Sequence, residues 1–204
     1  MGTSNAGMAK ALQKFVAHGG MLRSSNAIRL GVHPRTLYAM RDAAEIEQIG
    51  RGLYRLRTAP PLSNPDLVPV AVRSPRAVVC LISALAHDGL TTQVPHAVHV
   101  ALPSHAQIPR IDDIPLQVFW YSEPSFSAGI QVVTMDGVPV RVYSPEKTIA
   151  DCFKYRNKIG LDVAVEALRT YRDQERKPDF QAITKFAQIN RVQKVIRPYL
   201  EAII

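Results

Sequence analysis

Apolar residues recur at helical spacing near the start of the chain. Met8, Leu12, Phe15 and Val16 share one face, which predicts a helix over 6–18, and Gly19-Gly20 supply the left-handed freedom that ends it. A short helix follows over 26–30, with Ser24 or Ser25 as its cap and Gly31 as its stop. Pro34 suits the first position of a third helix that continues through Ala44. On that helix Leu37, Met40 and Ala44 face inward, Arg35, Tyr38, Ala39 and Asp42 face outward, and Thr36 lies at the margin. Ile46–Ile49, the tip Gly50-Arg51-Gly52, and Leu53–Arg57 read as a β-hairpin. The tight Leu30-Gly31-Val32-His33 connection completes the pattern of a winged helix-turn-helix over 1–60.

Three prolines in 58–65 break the periodicity and mark a semi-rigid linker at 61–65. The spacing beyond it, over 66–204, predicts an α+β domain. Leu67–Val72 is ambiguous because Pro69 interrupts it, and 75–87 is apolar nearly all round, which predicts a buried helix. Strands are expected at 96–102 and 116–121. A hairpin is expected at 131–143, turning at Asp136-Gly137, with Pro139 on an edge or a bulge. Helices close the chain. One is capped by Ser144 with Pro145 first, one covers 161–175, one starts at 178–179, and one starts at Asn190 and is broken or kinked at Pro198. This makes a small, mostly antiparallel sheet covered by helices. The Pro-rich boundary predicts that 1–60 and 66–204 fold separately.

Charge sharpens the functional reading. The chain carries +8, and residues 1–60 hold nine basic and three acidic side chains, a net of +6. Seven of those nine are arginines, whose planar fork matches phosphates and guanine edges. A polyanion is therefore the expected partner of the first module. Arg35, Thr36 and Tyr38, in the first turns of the third helix, are placed to read bases in the major groove. Arg23, Ser25, Arg51 and Arg55 are placed to contact phosphates. Asp42 is out of place on such a face, unless it restrains Arg35 or Arg41. One winged helix grips only a few base pairs, so specificity calls for two copies on repeated half-sites, as a dimer or as cooperating monomers.

Other chemistries find little support. No apolar stretch reaches the length of about 18 residues that a membrane span requires, and Met1–Lys10 lacks the basic flank and apolar run of a signal peptide. Cys80 and Cys152 sit in apolar text and read as reduced core thiols of a cytoplasmic protein. His96 and His99 are three apart on a strand, hence on opposite faces, and His105 lies beyond it, so no metal site is expected. Asp112-Asp113, between Pro109 and Pro115, read as a loop and not as the metal-holding carboxylates of a nucleotidyltransferase. A nucleophile elbow and a phosphate-binding loop are both lacking, and no catalytic residue or cofactor is expected. Lys147 and Asp151 read as an i,i+4 ion pair worth about 0.3–0.5 kcal/mol. Lys154, Tyr155, Arg156 and Lys158 read as a solvated helix end.

Two stretches carry a family resemblance. Gly31-Val32-His33-Pro34-Arg35-Thr36-Leu37-Tyr38, followed by Ile49-Gly50-Arg51-Gly52-Leu53-Tyr54-Arg55, resembles the N-terminal winged helix of AbiEi-type antitoxins. The stretch from Asp136-Gly137-Val138-Pro139 through Ser144-Pro145-Glu146-Lys147-Thr148-Ile149-Ala150-Asp151-Cys152-Phe153, and then Gly160-Leu161-Asp162-Val163-Ala164, is similar to the family's C-terminal domain. Ser83-Ala84-Leu85-Ala86 and Pro95 resemble its middle segment. The resemblance implies a non-enzymatic antitoxin and transcriptional autorepressor of a two-gene toxin–antitoxin operon. Its winged helix would bind inverted repeats in its own promoter. Its C-terminal domain would counteract a nucleotidyltransferase-type toxin, without a stable complex being required. The alternative is an interaction module over 66–204 that sequesters a partner directly, with the basic head as an accessory.

Overall fold

The computed structural model describes residues 2–174 and 176–203. They form two compact units, one comprising Met1–Pro75, Pro109–Ile114 and Thr134–Val140, the other Arg76–Ile108, Pro115–Val133 and Arg141–Ile204.

The first unit opens with helix α1 (Gly2–Ala17), which buries Ala11 and Phe15. Gly19 and Gly20, both at positive φ, turn the chain into strand β1 (Met21–Arg23), which the periodicity did not reveal. Helix α2 (Ser24–Arg29) follows at once, then α3 (Pro34–Asp42), β2 (Ile46–Gly50) and β3 (Leu53–Leu56). The three strands lie in the order β1-β3-β2, both pairings antiparallel. Phe15, Leu22, Ala27, Val32, Leu37, Met40, Ile46 and Tyr54 make the core beneath them.

Two local expectations are corrected. Neither Ser24 nor Ser25 caps α2: the cap position is Arg23, because the chain enters the helix directly from β1 and the Ser24 N–H donates to Gly52 O at 2.8 Å. Ala44 is exposed and adopts φ 57°, just beyond the end of α3, so it turns the chain instead of facing the core.

The Pro-rich segment is anchored. Asp136, at the tip of the second hairpin, accepts from Ser63 N (3.0 Å) and Ser63 Oγ (2.9 Å). The same tip brings Gly137 against Gly19, where a Cβ on Gly19 would stand 3.2 Å from Gly137 O. Helix α4 (Leu67–Arg73) then holds Pro69 within its first turn, where a missing N–H breaks no helical bond.

In the second unit the apolar run at 75–87 divides into strand β4 (Val78–Val79) and helix α5 (Leu81–His87), not one helix. Such a run buries either element equally well, and only its sheet partners distinguish them. With β5 (Val98–Pro103), β6 (Leu116–Tyr121), β7 (Ile130–Met135) and β8 (Val138–Tyr143) it builds a five-stranded sheet in the order β6-β5-β4-β8-β7. The sheet is mixed. β5–β6 and β4–β8 are parallel, and β4–β5 is antiparallel.

Helices α6 (Pro145–Lys154), α7 (Arg156–Ile159), α8 (Leu161–Gln174), α9 (Phe180–Ile189) and α10 (Gln193–Ile203) supply the rest of the core. Ser144 caps α6, accepting from Lys147 N, and Asp179 caps α9, accepting from Ala182 N. The last helix starts three residues beyond Asn190 and continues through Pro198, with Ile196 and Leu200 buried on either side of the proline. Residue 175, expected to end α8, lies outside the described residues.

Candidate nucleic-acid interface

Helix α3 is set by its own first residues. Pro34 takes the first helical position, and His33 caps the helix by accepting from Arg35 N at Nδ1 (3.1 Å). Leu37 (2% exposed) and Met40 (0%) anchor one face in the core. The opposite face carries Arg35 and Tyr38, with Tyr38 51% exposed and Thr36 at the margin. Arg41 bonds Asp42 Oδ1 through Nε (3.0 Å) and Nη2 (2.9 Å), and its guanidinium lies 5.4 Å from the Tyr38 ring centre. Asp42 thus restrains Arg41 and leaves Arg35 unpaired among the described residues.

The basic residues expected to contact phosphate divide into two groups. Ser25 is exposed, and Arg51 projects from the hairpin tip with its side chain 89% exposed. Its guanidinium is 3.9 Å from Asp112, a loose and solvated contact. Arg23 is half-buried and donates to Arg73 O (3.1 Å). Arg55 is buried and bridges Glu47 Oε1 (3.1 Å) and Ala59 O (2.8 Å). Arg55 is therefore a clasp across β2 and β3, not a free cation. Its place on a strand that is buried along its whole length decides this.

Two arrangements escaped the sequence. The Arg73 guanidinium lies against Gly50 of the wing, paired through Nη1 and Nη2 with the Asp113 carboxylate, which it holds below the usual carboxylate range. Gly50 makes room for it, since a Cβ there would stand 1.7 Å from Arg73 Nη2. Asp112 and Asp113 do lie in a loop, as expected, and they flank the wing.

The other arrangement lies within the second unit, under α6. Lys147 and Asp151 are both fully buried and 2.5 Å apart. Asn190 Nδ2 donates to the same oxygen of Asp151 at 2.6 Å, and Ser125 Oγ donates to Asn190 Oδ1 at 2.6 Å. The rings of Tyr143 (4.3 Å) and Tyr121 (4.9 Å) enclose the Lys147 ammonium. Burial pushes the Asp151 carboxyl up, while Lys147 and Asn190 oppose the shift. The i,i+4 pair is real, but its energetics are those of a sealed interior pair and not of a surface one. Lys154 is likewise half-buried, over the Tyr121 ring at 4.9 Å, with its ammonium pushed below its ordinary range by burial. It is not part of a solvated helix end. The visible signal was a lysine and an aspartate inside an otherwise apolar helix, Thr148-Ile149-Ala150 between them and Cys152-Phe153 after. Among the described residues no group of three His, Cys, Asp or Glu could hold a metal ion. Burial pushes both cysteine thiols far above their ordinary range, which makes them inert.

The order helix, strand, two helices and a two-stranded wing, with an exposed basic face on the second helix of the turn, defines a winged helix-turn-helix module. Residues 10–57, from within α1 to the end of the wing, match the family AbiEi_4, described as "Transcriptional regulator, AbiEi antitoxin". Over these residues the chain is similar to AbiEi-type antitoxins and transcriptional regulators. Over the whole chain, the fold is similar to that in the crystal structure of RV2827C protein from Mycobacterium tuberculosis. The TM-score is 0.55 at 12% identity, covering 96% of this chain and 81% of that one. No curated protein matches the chain by sequence. Among the described residues no helix is long and apolar enough to cross a membrane.

Proposed function

We propose that this chain is a cytoplasmic, non-enzymatic antitoxin that represses its own operon by binding repeated half-sites in the promoter. The observation that carries the reading is the coincidence of the family match over 10–57 with an α3 face on which Arg35, Thr36 and Tyr38 reach solvent. Arg35 reads a base edge, Tyr38 and Thr36 complete the major-groove contact, and Ser25 and Arg51 hold phosphates on either side. Two copies, as a dimer or as monomers on adjacent repeats, supply the specificity that one module lacks. The second unit counteracts a nucleotidyltransferase-type toxin, with or without a lasting complex.

The test is a titration of the chain's own upstream DNA across a salt series, beside an unrelated duplex of equal length. Selective binding that weakens steeply with salt is expected. Equal, weak binding to both duplexes would remove the repressor role. Expression of the adjacent gene with and without this chain tests the antitoxin role. Growth arrest that is relieved when this chain is co-expressed is expected, and arrest that persists in its presence would refute it.

A further inference from the structure

The second unit holds a cavity of about 520 Å³ that the DNA-binding reading does not use. Ile82, Val94 and Pro95 give it apolar walls, and His99, Gln117 and Lys158 bring polar groups to it. Its volume falls in the range of about 300–1,000 Å³ usual for small-molecule sites, and a few convergent polar groups in an apolar frame are their usual lining.

The polar groups are held in place. His99 and Gln117 are register partners on the parallel strands β5 and β6, so their side chains project from the same face of the sheet. His99 is 5% exposed, and its ring leans on Phe119 with centroids 5.4 Å apart. The Lys158 ammonium stands 5.8 Å from the centre of the same Phe119 ring. The ring atom Nδ1 of His99 is buried without a hydrogen-bond partner among the described residues. Buried polar atoms are almost always satisfied, so the unpaired Nδ1 marks His99, a lining residue of the cavity, as a side chain whose hydrogen bonding the fold alone does not complete. Burial pushes the His99 imidazole below its ordinary range, against a hydrogen bond with Gln117, and so favours the neutral ring. A neutral imidazole and a primary amide each offer both a donor and an acceptor.

We propose that this cavity binds a small planar heteroaromatic anion of mononucleotide size, its hydrogen-bonding edge on His99 and Gln117, its flat body between the apolar walls, and its anionic group at Lys158. The three parts of the ligand follow from three parts of the lining. An uncharged planar molecule leaves Lys158 unused, and a bare anion leaves the walls and the amide–imidazole pair unused. The inference is independent of the DNA-binding reading, because the α3 face and the cavity share no residue.

The test uses the full chain and adenosine monophosphate as probe, with adenosine and inorganic phosphate as controls, followed by calorimetry and by amide chemical shifts. Saturable binding of adenosine monophosphate is expected, with shifts at residues 94–99, 117 and 158. Val94→Trp, at an exposed position on the wall, fills the cavity without touching the core and is expected to weaken binding at least about tenfold. Lys158→Gln should weaken the nucleotide by about tenfold and leave adenosine unchanged. Circular dichroism spectra and thermal melts of both variants should match the parent, which shows that they are folded. No saturable shift at millimolar nucleotide would overturn the proposal. Binding unaltered by Val94→Trp would overturn it too, by placing the nucleotide elsewhere. Phosphate binding as tightly as the nucleotide would overturn the heteroaromatic part, leaving an adventitious ion only.

Discussion

In the proposed DNA complex, Arg35 is the side chain that reads a base edge. It stands exposed at the second position of α3 and makes no ion pair among the described residues. Arg35→Ala is expected to cost about 1–3 kcal/mol on the operator and to relax the choice of base at one position, read in a titration against single-base variants. In the same proposed complex, Arg51 and Asp112 would act on the phosphates with opposite sign. Arg51→Ala should weaken every duplex alike and reduce the salt slope by about one unit. Asp112→Asn removes a carboxylate from beside the wing tip and should tighten all duplexes modestly. Asp88 gives a separate prediction about stability. Burial, with Glu146 nearby, pushes its carboxyl up to about 7, and its Oδ2 is buried without a partner among the described residues. The folded protein therefore keeps a proton that the unfolded chain releases near pH 4, and this group's contribution makes stability fall as pH rises from about 4 to 7. Asp88→Asn should raise stability by about 1–3 kcal/mol at pH 8, with little effect at pH 4, in thermal melts at the two pH values.

At the scale of elements, α6 carries the buried Lys147–Asp151 pair. Lys147→Met alone leaves the Asp151 carboxylate buried and unpaired, and should cost about 3–5 kcal/mol in denaturant unfolding. Adding Asp151→Leu should recover much of that loss, because the pair is then replaced by apolar volume. If the double variant is as unstable as the single one, the charges themselves do not set the cost. The elements also differ in how well the chain announces them. The period of α3, the Asp-Gly turn of the second hairpin and the Ser144-Pro145 start of α6 are local chemistry, and each forms where it was expected. β1 was invisible because three residues carry no period. β4 was hidden because it is buried on both faces and directly followed by a buried helix.

Across the whole molecule, the winged-helix unit is larger than its sequence signature. It includes α4 and two segments far along the chain, with Arg73–Asp113 on the wing and Asp136 on Ser63. A fragment limited to 1–60 lacks all of these. It is expected to show lower protection of the Leu53 and Tyr54 amides in hydrogen exchange than the same residues of the full chain. Equal protection would restore the boundary at residue 60.

Periodicity, turn residues and charge by themselves determined the order of helices and hairpins, the basic first module and the outward face of α3, because each depends on neighbours within a few residues. Which arginines remain available to a phosphate is a different kind of fact. Arg35 and Arg51 reach solvent, whereas Arg23 and Arg55 are committed to Arg73 O, Glu47 and Ala59. The same holds for Lys147 and Asp151, whose spacing fits a surface pair as well as a buried one. Only tertiary structure decides between them, because burial, and with it the strength of every charge interaction, depends on which distant segments close over a residue.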